Sequence, residues 1–288
     1  RISNSGVLVT DSAVISSTGM DVAGRTAALV TITGTGADGT AFNIGVSIEF
    51  TQVTSVDGDI AITGSGGNGG VDFSNVGVII GNAVVSSTGT DVAGRTAALV
   101  TITGTGGAAG NLNDGVLIVG PSAQVTSIDG DIAITGTGGV AASGSDNNRG
   151  VVIDGGALVS STGQDVAGRT GALLTIIGSG AAGNNNNDGV LISSPNTQVT
   201  SVDGDIAITG ISAGTGNGNE GVQIDGAAVV SSTGNGANAA TITIFGLDND
   251  NTFADFGVLI DGATTVVISN TGDITINAAG LNNMGGNL

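Results

Sequence analysis

The chain of 288 residues contains no cysteine, histidine, lysine, tyrosine or tryptophan and only two prolines. The absence of cysteine excludes a disulfide framework and thiol chemistry. The absence of histidine, lysine and tyrosine removes most of the usual general acids and bases, so the chain is not expected to be an enzyme. No apolar run reaches the length of a membrane span, and membrane insertion is therefore not expected.

The charge of the chain is strongly one-sided. Twenty-four acidic residues stand against five arginines, which gives a formal net charge of -19. Such a surface repels nucleic acid and anionic membranes, and neither is an expected partner. Divalent cations and positively charged surfaces are compatible with it.

The chain is built from two alternating repeats. The long repeat reads VSSTGTDVAGRTAALVTITGTG at 85–106 and recurs from positions 15 and 159, with a weaker copy from position 230. The short repeat reads VTSVDGDIAITGSG at 53–66 and recurs from positions 125, 199 and 268. Regular repetition of this length is typical of a stack of like structural units.

Each unit begins with a glycine that precedes a short aliphatic run. Aliphatic residues occupy the first and third positions after that glycine, whereas the second position varies, as in Val46, Ser47 and Ile48. This period of two predicts a strand with one buried face. Two further runs of the same kind follow in each unit, so three strands per unit are expected. The leading glycines are Gly6, Gly45, Gly77, Gly115, Gly150, Gly189, Gly221 and Gly257.

These features predict an all-β fold, a parallel β-helix or β-solenoid of eight coils, with long and short coils alternating. Residues 1–288 are expected to form one elongated domain whose coils start near positions 6, 45, 77, 115, 150, 189, 221 and 257. Right-handed coiling is expected because parallel crossover connections are generally right-handed. Segments rich in Gly, Ser, Asn and Asp, such as 137–149 and 179–188, predict edge loops that do not join the core.

The phrases VDGDIAITG, NTGDITI and VSSTG resemble the repeats of filamentous haemagglutinin-type proteins and of giant glycine-rich β-helical adhesins of bacterial surfaces. The resemblance spans nearly the whole chain. It implies an exported, non-catalytic rod that serves adhesion, biofilm formation or the building of an appendage. The implied location is extracellular or on the cell surface.

The charged residues of the repeats predict a structural ladder. Long units carry an Asp and an Arg at one corner, and short units carry an Asp pair, so each Arg can lie between acidic neighbours above and below. Arg149 lies in a loop outside this context and is expected to matter less to stability than Arg95. The ladder residues of the long units are Asp21, Arg25, Asp91, Arg95, Asp165 and Arg169.

The same acidic residues raise the hypothesis of a Ca²⁺ site, because a hard cation binds several oxygen ligands. Their spacing matches neither an EF-hand nor a nonapeptide Ca²⁺ repeat, and no cofactor is required by the fold. The first candidates are the short-unit pairs Asp57, Asp59, Asp129, Asp131, Asp203 and Asp205. Acidic residues at the loop edges, including Asp114, Asp188, Glu220 and Asp255, form a second set.

The expected function is that of a structural rod which forms, or belongs to, a bacterial surface filament. Neither the first five residues nor the final segment, 278–288, contains a convincing cap, so the coils are expected to stack head to tail on other copies or to continue in a longer polypeptide. The alternative is an adhesin module that binds cell-surface glycans through its long loops. Ice binding, suggested by outward threonines such as Thr31 and Thr33, and a polysaccharide-degrading β-helix enzyme are remote alternatives.

Overall fold

The structure, a computed structural model, contains strands and turns and no helix in the residues that it describes. The described residues are 3–21, 27–39, 42–69, 74–90, 97–108, 110–140, 145–164, 171–234, 240–249 and 255–280.

The strands follow one another in chain order, separated by short turns and longer loops. The first eight are β1 (Ser3–Val9), β2 (Val14–Ser17), β3 (Val30–Thr35), β4 (Phe42–Glu49), β5 (Gln52–Ser55), β6 (Ile60–Ser65), β7 (Val78–Gly81) and β8 (Val84–Ser87). The next eight are β9 (Val100–Thr105), β10 (Val116–Val119), β11 (Gln124–Ser127), β12 (Ile132–Thr137), β13 (Val151–Asp154), β14 (Leu158–Ser161), β15 (Leu174–Ser179) and β16 (Val190–Ile192). The last eight are β17 (Gln198–Ser201), β18 (Ile206–Ile211), β19 (Val222–Ile224), β20 (Val229–Ser232), β21 (Ile242–Asp248), β22 (Val258–Ile260), β23 (Val266–Ser269) and β24 (Ile274–Gly280).

Every third strand belongs to the same sheet, and all pairings are parallel. The first sheet begins with β1, β4 and β7, the second with β2, β5 and β8, and the third with β3, β6 and β9, each holding eight strands. We call three consecutive strands with their connections one coil. This arrangement is a parallel β-solenoid, which confirms the fold class predicted from the repeats.

The core is a stack of identical positions from successive coils. In β12, Ile132 and Ile134 are fully buried while Thr135 is exposed, as expected for a strand with one inward face. Ile134 lies in register with Ile102 on one side and Ile176 on the other, so each aliphatic side chain is covered by its equivalents. Packing between like side chains about 4.8 Å apart therefore replaces the interlayer packing of an ordinary globular domain.

Glycines close the corner between the third sheet and the first sheet. A Cβ atom on Gly64 in β6 would overlap the carbonyl oxygen of Gly77, and one on Gly77 would overlap the backbone of Thr105. The leading glycine of each unit is therefore required by close backbone approach, since any side chain would force the two sheets apart.

The aliphatic face loses its cover at the final strands. Ile274 and Ile276 in β24 are 41% and 45% exposed, whereas their register partners Ile242 and Ile244 are fully buried. Within the described residues, β22, β23 and β24 have a neighbouring strand on one side, as do β1, β2 and β3 at the opposite end.

Candidate functional site

A ladder of buried asparagine side chains runs along the solenoid at the entry to the first sheet. The Nδ2 of Asn75 donates to the Oδ1 of Asn113 at 2.9 Å, and the Nδ2 of Asn113 donates to the Oδ1 of Asn148 at 2.7 Å. The backbone N–H of each residue donates to the same oxygen, at 3.1 and 3.2 Å for these two steps. The ladder ends on Asp255, whose carboxylate accepts from Asn219. Its asparagines are Asn4, Asn43, Asn75, Asn113, Asn148, Asn187 and Asn219.

The ladder overturns the prediction that the polar stretches stay outside the core. Asn148 and Asn187 belong to the segments 137–149 and 179–188, and both are fully buried. An amide can do this because it both donates and accepts, so a stack of amides satisfies itself and the nearby backbone. The signal in the sequence is an asparagine two positions before the leading glycine of almost every unit.

A second column lies between the asparagines and the leading glycines, and its middle part is charged. It begins with Ser5, Ile44 and Val76, continues with Asp114, Arg149, Asp188 and Glu220, and ends with Phe256. Arg149 makes a bidentate ion pair with Asp114, with Nε–Oδ1 and Nη2–Oδ2 distances of 3.0 Å each. The Asp114 side chain is almost completely buried, so this ion pair is shielded from water.

Arg149 therefore lies in a loop, as predicted, but it has an acidic partner in Asp114, which the sequence pattern did not assign to it. Burial lowers the pKa of the Arg149 guanidinium, but the charge and hydrogen bonds of Asp114, together with the charges of Asp188 and Asp154, outweigh burial and raise the pKa above its ordinary value. The predicted ladder of Asp91, Arg95, Asp165, Arg169 and Arg25 lies outside the described residues. Its described member, Asp21, accepts from the Ala27 N–H and donates its own N–H to Asp57 at 2.9 Å.

Two carboxyl groups are neighbours beyond Arg149 in the same column. Asp188 and Glu220 are 1% and 3% exposed, and the Glu220 N–H donates to the Asp188 Oδ1 at 3.0 Å. Burial raises the pKa of Asp188 well above its ordinary value, and the nearby charge of Glu220 raises it further, while Arg149 lowers it. Burial also raises the pKa of Glu220, and the nearby charges of Asp255 and Asp248 raise it further. The pair therefore favours holding a proton between its two side chains.

The Ca²⁺ candidates lie at the corners that precede the third sheet. The carboxylate of Asp59 accepts from the Leu99 N–H at 2.9 Å, that of Asp131 from the Leu173 N–H at 2.8 Å, and that of Asp205 from the Thr241 N–H at 2.7 Å. Asp57 and Asp129 are buried beside them, and Asp203 is half-buried. Among the described residues, no group of three or more acidic side chains converges as a metal site. The Ca²⁺ hypothesis remains a prediction that calorimetric titration with Ca²⁺ can test.

The outer edge of the loops carries its own polar ladder. Asp146 accepts from the Asn185 N–H at 2.8 Å, and Asn185 accepts from the Asn217 N–H at 2.9 Å. Asn111 precedes them and accepts from the Asp146 N–H at 2.8 Å. Because these bonds join four successive coils, the loops of those coils stack in register with the sheets.

The asparagine ladder runs along the axis from Asn4 to Asn219, whereas the buried charges of the second column lie between Asp114 and Glu220. The hydrogen bonds of each ladder join one coil to the next, because a ladder residue donates to one neighbouring coil and accepts from the other.

Comparison with protein-family models, with curated proteins and with solved structures gives no match. In the part of the chain that the structure describes, no helix has the length and apolarity needed to cross a membrane.

Proposed function

We propose that this protein is a non-catalytic structural rod of an extracellular bacterial surface filament, in which eight right-handed coils per chain stack head to tail with those of the next copy. The handedness follows the general preference of parallel crossovers. The absence of histidine, lysine and cysteine supports a structural function. The resemblance of the repeats to bacterial surface adhesins supports the extracellular location.

The exposed aliphatic face of the last described coil carries the proposal. Ile276 occupies the position that is fully buried in every internal coil, yet nearly half of its side chain is accessible. Parallel strand edges with unused N–H and C=O groups pair readily with another edge. A second copy of the chain offers the same cross-section and the same inward positions, so it would bury this face as an internal coil does. A head-to-tail contact of this kind does not close and produces a fibre.

The assembly can be tested with the isolated chain. Light scattering after size exclusion and negative-stain imaging should reveal linear assemblies whose length grows with concentration. Replacing Ile276 by Asp should shorten them, because the charge would be buried at every joint. The same change at the neighbouring exposed Thr275 is the matched control and should leave assembly largely intact. Monomers at every concentration, with no fibres, would contradict the proposal.

Glycan binding along the loop edge is the second candidate function. An open groove runs across several coils beside the end of the third sheet, with a backbone-rich floor of glycines. Its hydroxyl and amide side chains could bond an extended polar chain at regular intervals, and a glycan array would test this. The polar lining residues are Thr35, Asp38, Ser65, Asn68, Thr105 and Thr137.

A further inference from the structure

We propose that the joint between copies keeps the register of the internal coils, so that Asp273 of one copy accepts a hydrogen bond from the Leu29 N–H of the next. This inference rests on the proposed head-to-tail stacking. It assigns a specific partner to the first and last described coils and makes Asp273 a residue that determines how two copies join.

The bond has three precedents inside the chain. Wherever a long coil follows a short coil, the Asp at the end of the short-coil corner accepts from the N–H that precedes the third strand of the long coil. The pairs are Asp59 with Leu99, Asp131 with Leu173 and Asp205 with Thr241. In all three bonds the acceptor carboxylate belongs to the short coil and the donor N–H belongs to the coil that follows it.

Asp273 occupies the same position in the last described coil. Its backbone oxygen accepts from the Ile242 N–H at 2.9 Å, just as the backbone oxygen of Asp59 accepts from the Val30 N–H at 2.8 Å. The Asp273 side chain is exposed, and no bond to it is found within the described ranges. The equivalent carboxylates in internal coils use this position to hold the coil that follows.

Leu29 offers the complementary group at the other end. It directly precedes Val30, as Leu99 precedes Val100 and Leu173 precedes Leu174. Leu29 is 58% exposed. In the described residues, its N–H has no hydrogen bond of the kind that Leu99 makes to Asp59.

The alternation of the repeats supports the same register. The first coil carries the long repeat from position 15, and the last described coil carries the short repeat from position 268. Stacking the last coil of one copy against the first coil of the next therefore continues the order of short then long. The apolar positions also match, since Ile274 would meet Val30 and Ile276 would meet Ile32, as Ile60 meets Val100 and Ile62 meets Ile102 inside the chain.

Cross-linking can read the register directly, because the chain has no cysteine of its own. Paired residues on adjacent strands are about 4.8 Å apart, which is within the range that a disulfide can bridge. The double variant Leu29→Cys with Asp273→Cys should form covalent oligomers beyond the dimer on mild oxidation, and a reducing agent should dissolve them. Each single variant should stop at dimers, and Leu8→Cys with Asp273→Cys, a mismatched pair on different sheets, should form no long series.

A second pair of variants tests the hydrogen bond. Asp273→Ala should weaken self-association by about tenfold, the usual value of a bond to a charged acceptor, and leave the melting temperature of the monomer unchanged. Asp131→Ala removes the same charge and the same bond inside the chain, so it should lower the melting temperature without weakening association.

The outcomes separate this inference from the proposed function. Failure of the unmodified chain to assemble would overturn head-to-tail stacking itself. Two results would overturn the assigned register while still supporting the filament, provided that the unmodified chain assembles. One is that the Leu29→Cys and Asp273→Cys double variant does not cross-link into long oligomers. The other is that Asp273→Ala assembles as strongly as the parent.

Discussion

Asn113 donates a 2.7 Å hydrogen bond from its side-chain Nδ2 to the Oδ1 of Asn148, and both side chains are closed to solvent. Each asparagine thus holds the coil before it and the coil after it. A buried amide ladder of this kind makes the polar corner of the solenoid as dependent on its neighbours as the aliphatic core is.

Replacing Asn148 by Ala should lower the free energy of unfolding by about 2–4 kcal/mol, because two donors of Asn113 would lose their acceptor and the Oδ1 of Asn187 would lose one of its two donors. Chemical denaturation followed by circular dichroism measures the change. Asn217→Ala is the matched control, since Asn217 is exposed and uses its backbone N–H in the outer ladder. Equal losses in the two variants would show that the buried ladder contributes nothing special.

Replacing Arg149 by Ala should cost about 3–5 kcal/mol, because Asp114 would remain buried without its cation. This reverses the low importance that the sequence suggests for Arg149. A double-mutant cycle with Asp114→Ala measures the coupling by denaturation, and the double variant should lose clearly less stability than the two single losses added together. Simple additivity would mean that the ion pair is not coupled in solution.

The Asp188 and Glu220 pair predicts stability that falls as the pH rises. The pKa of both groups is raised in the folded chain, so the folded state binds more protons than the unfolded state between the ordinary carboxyl pKa and the raised value. The free-energy cost of ionising these two buried groups is absent below the ordinary carboxyl pKa of about 4. This cost grows as the pH rises through the raised pKa and both groups ionise.

The variant Asp188→Asn mimics the protonated carboxyl group and should flatten this part of the pH dependence. At pH 7 its free energy of unfolding should exceed that of the parent by on the order of 1–3 kcal/mol, which raises the melting temperature, while near pH 3 the two should be similar. Thermal melts across this pH range provide the measurement. Asp131→Asn removes the same charge at an exposed corner and should retain the slope of the parent; an unchanged slope in Asp188→Asn would argue against a shared proton.

Replacing Ile134 by Asp should disrupt its own coil and the coils on both sides. The loss should exceed the roughly 2–5 kcal/mol of an Ile→Ala change, since a charge would replace a fully buried side chain. Thr135→Asp introduces the same charge one residue later, on the exposed side of β12, and should have a small effect on the melting temperature. Similar melting temperatures for the two variants would contradict the inward assignment of Ile134.

The period-two aliphatic pattern was sufficient to predict the strands, the buried face and the parallel stacking. Ile132 and Ile134 alternate with small residues, and the same pattern recurs in every unit, so local preference and global packing agree. The leading glycines were visible as well, although their purpose was not. Whether Gly64 and Gly77 serve a turn or a close contact depends on which backbones meet, and residues far apart in sequence decide that.

The polar corner illustrates the limit of the pattern. Asn148 stands in a stretch that reads as an exposed loop, and Arg149 next to it reads as an isolated charge, yet stacking brings Asn113, Asp114, Asn187 and Asp188 against them. Composition records which groups are available, and spacing records how often they recur. The choice between solvation and burial for each group follows from the partners that the adjacent coils supply, because a polar side chain enters the interior when its donors and acceptors are met there.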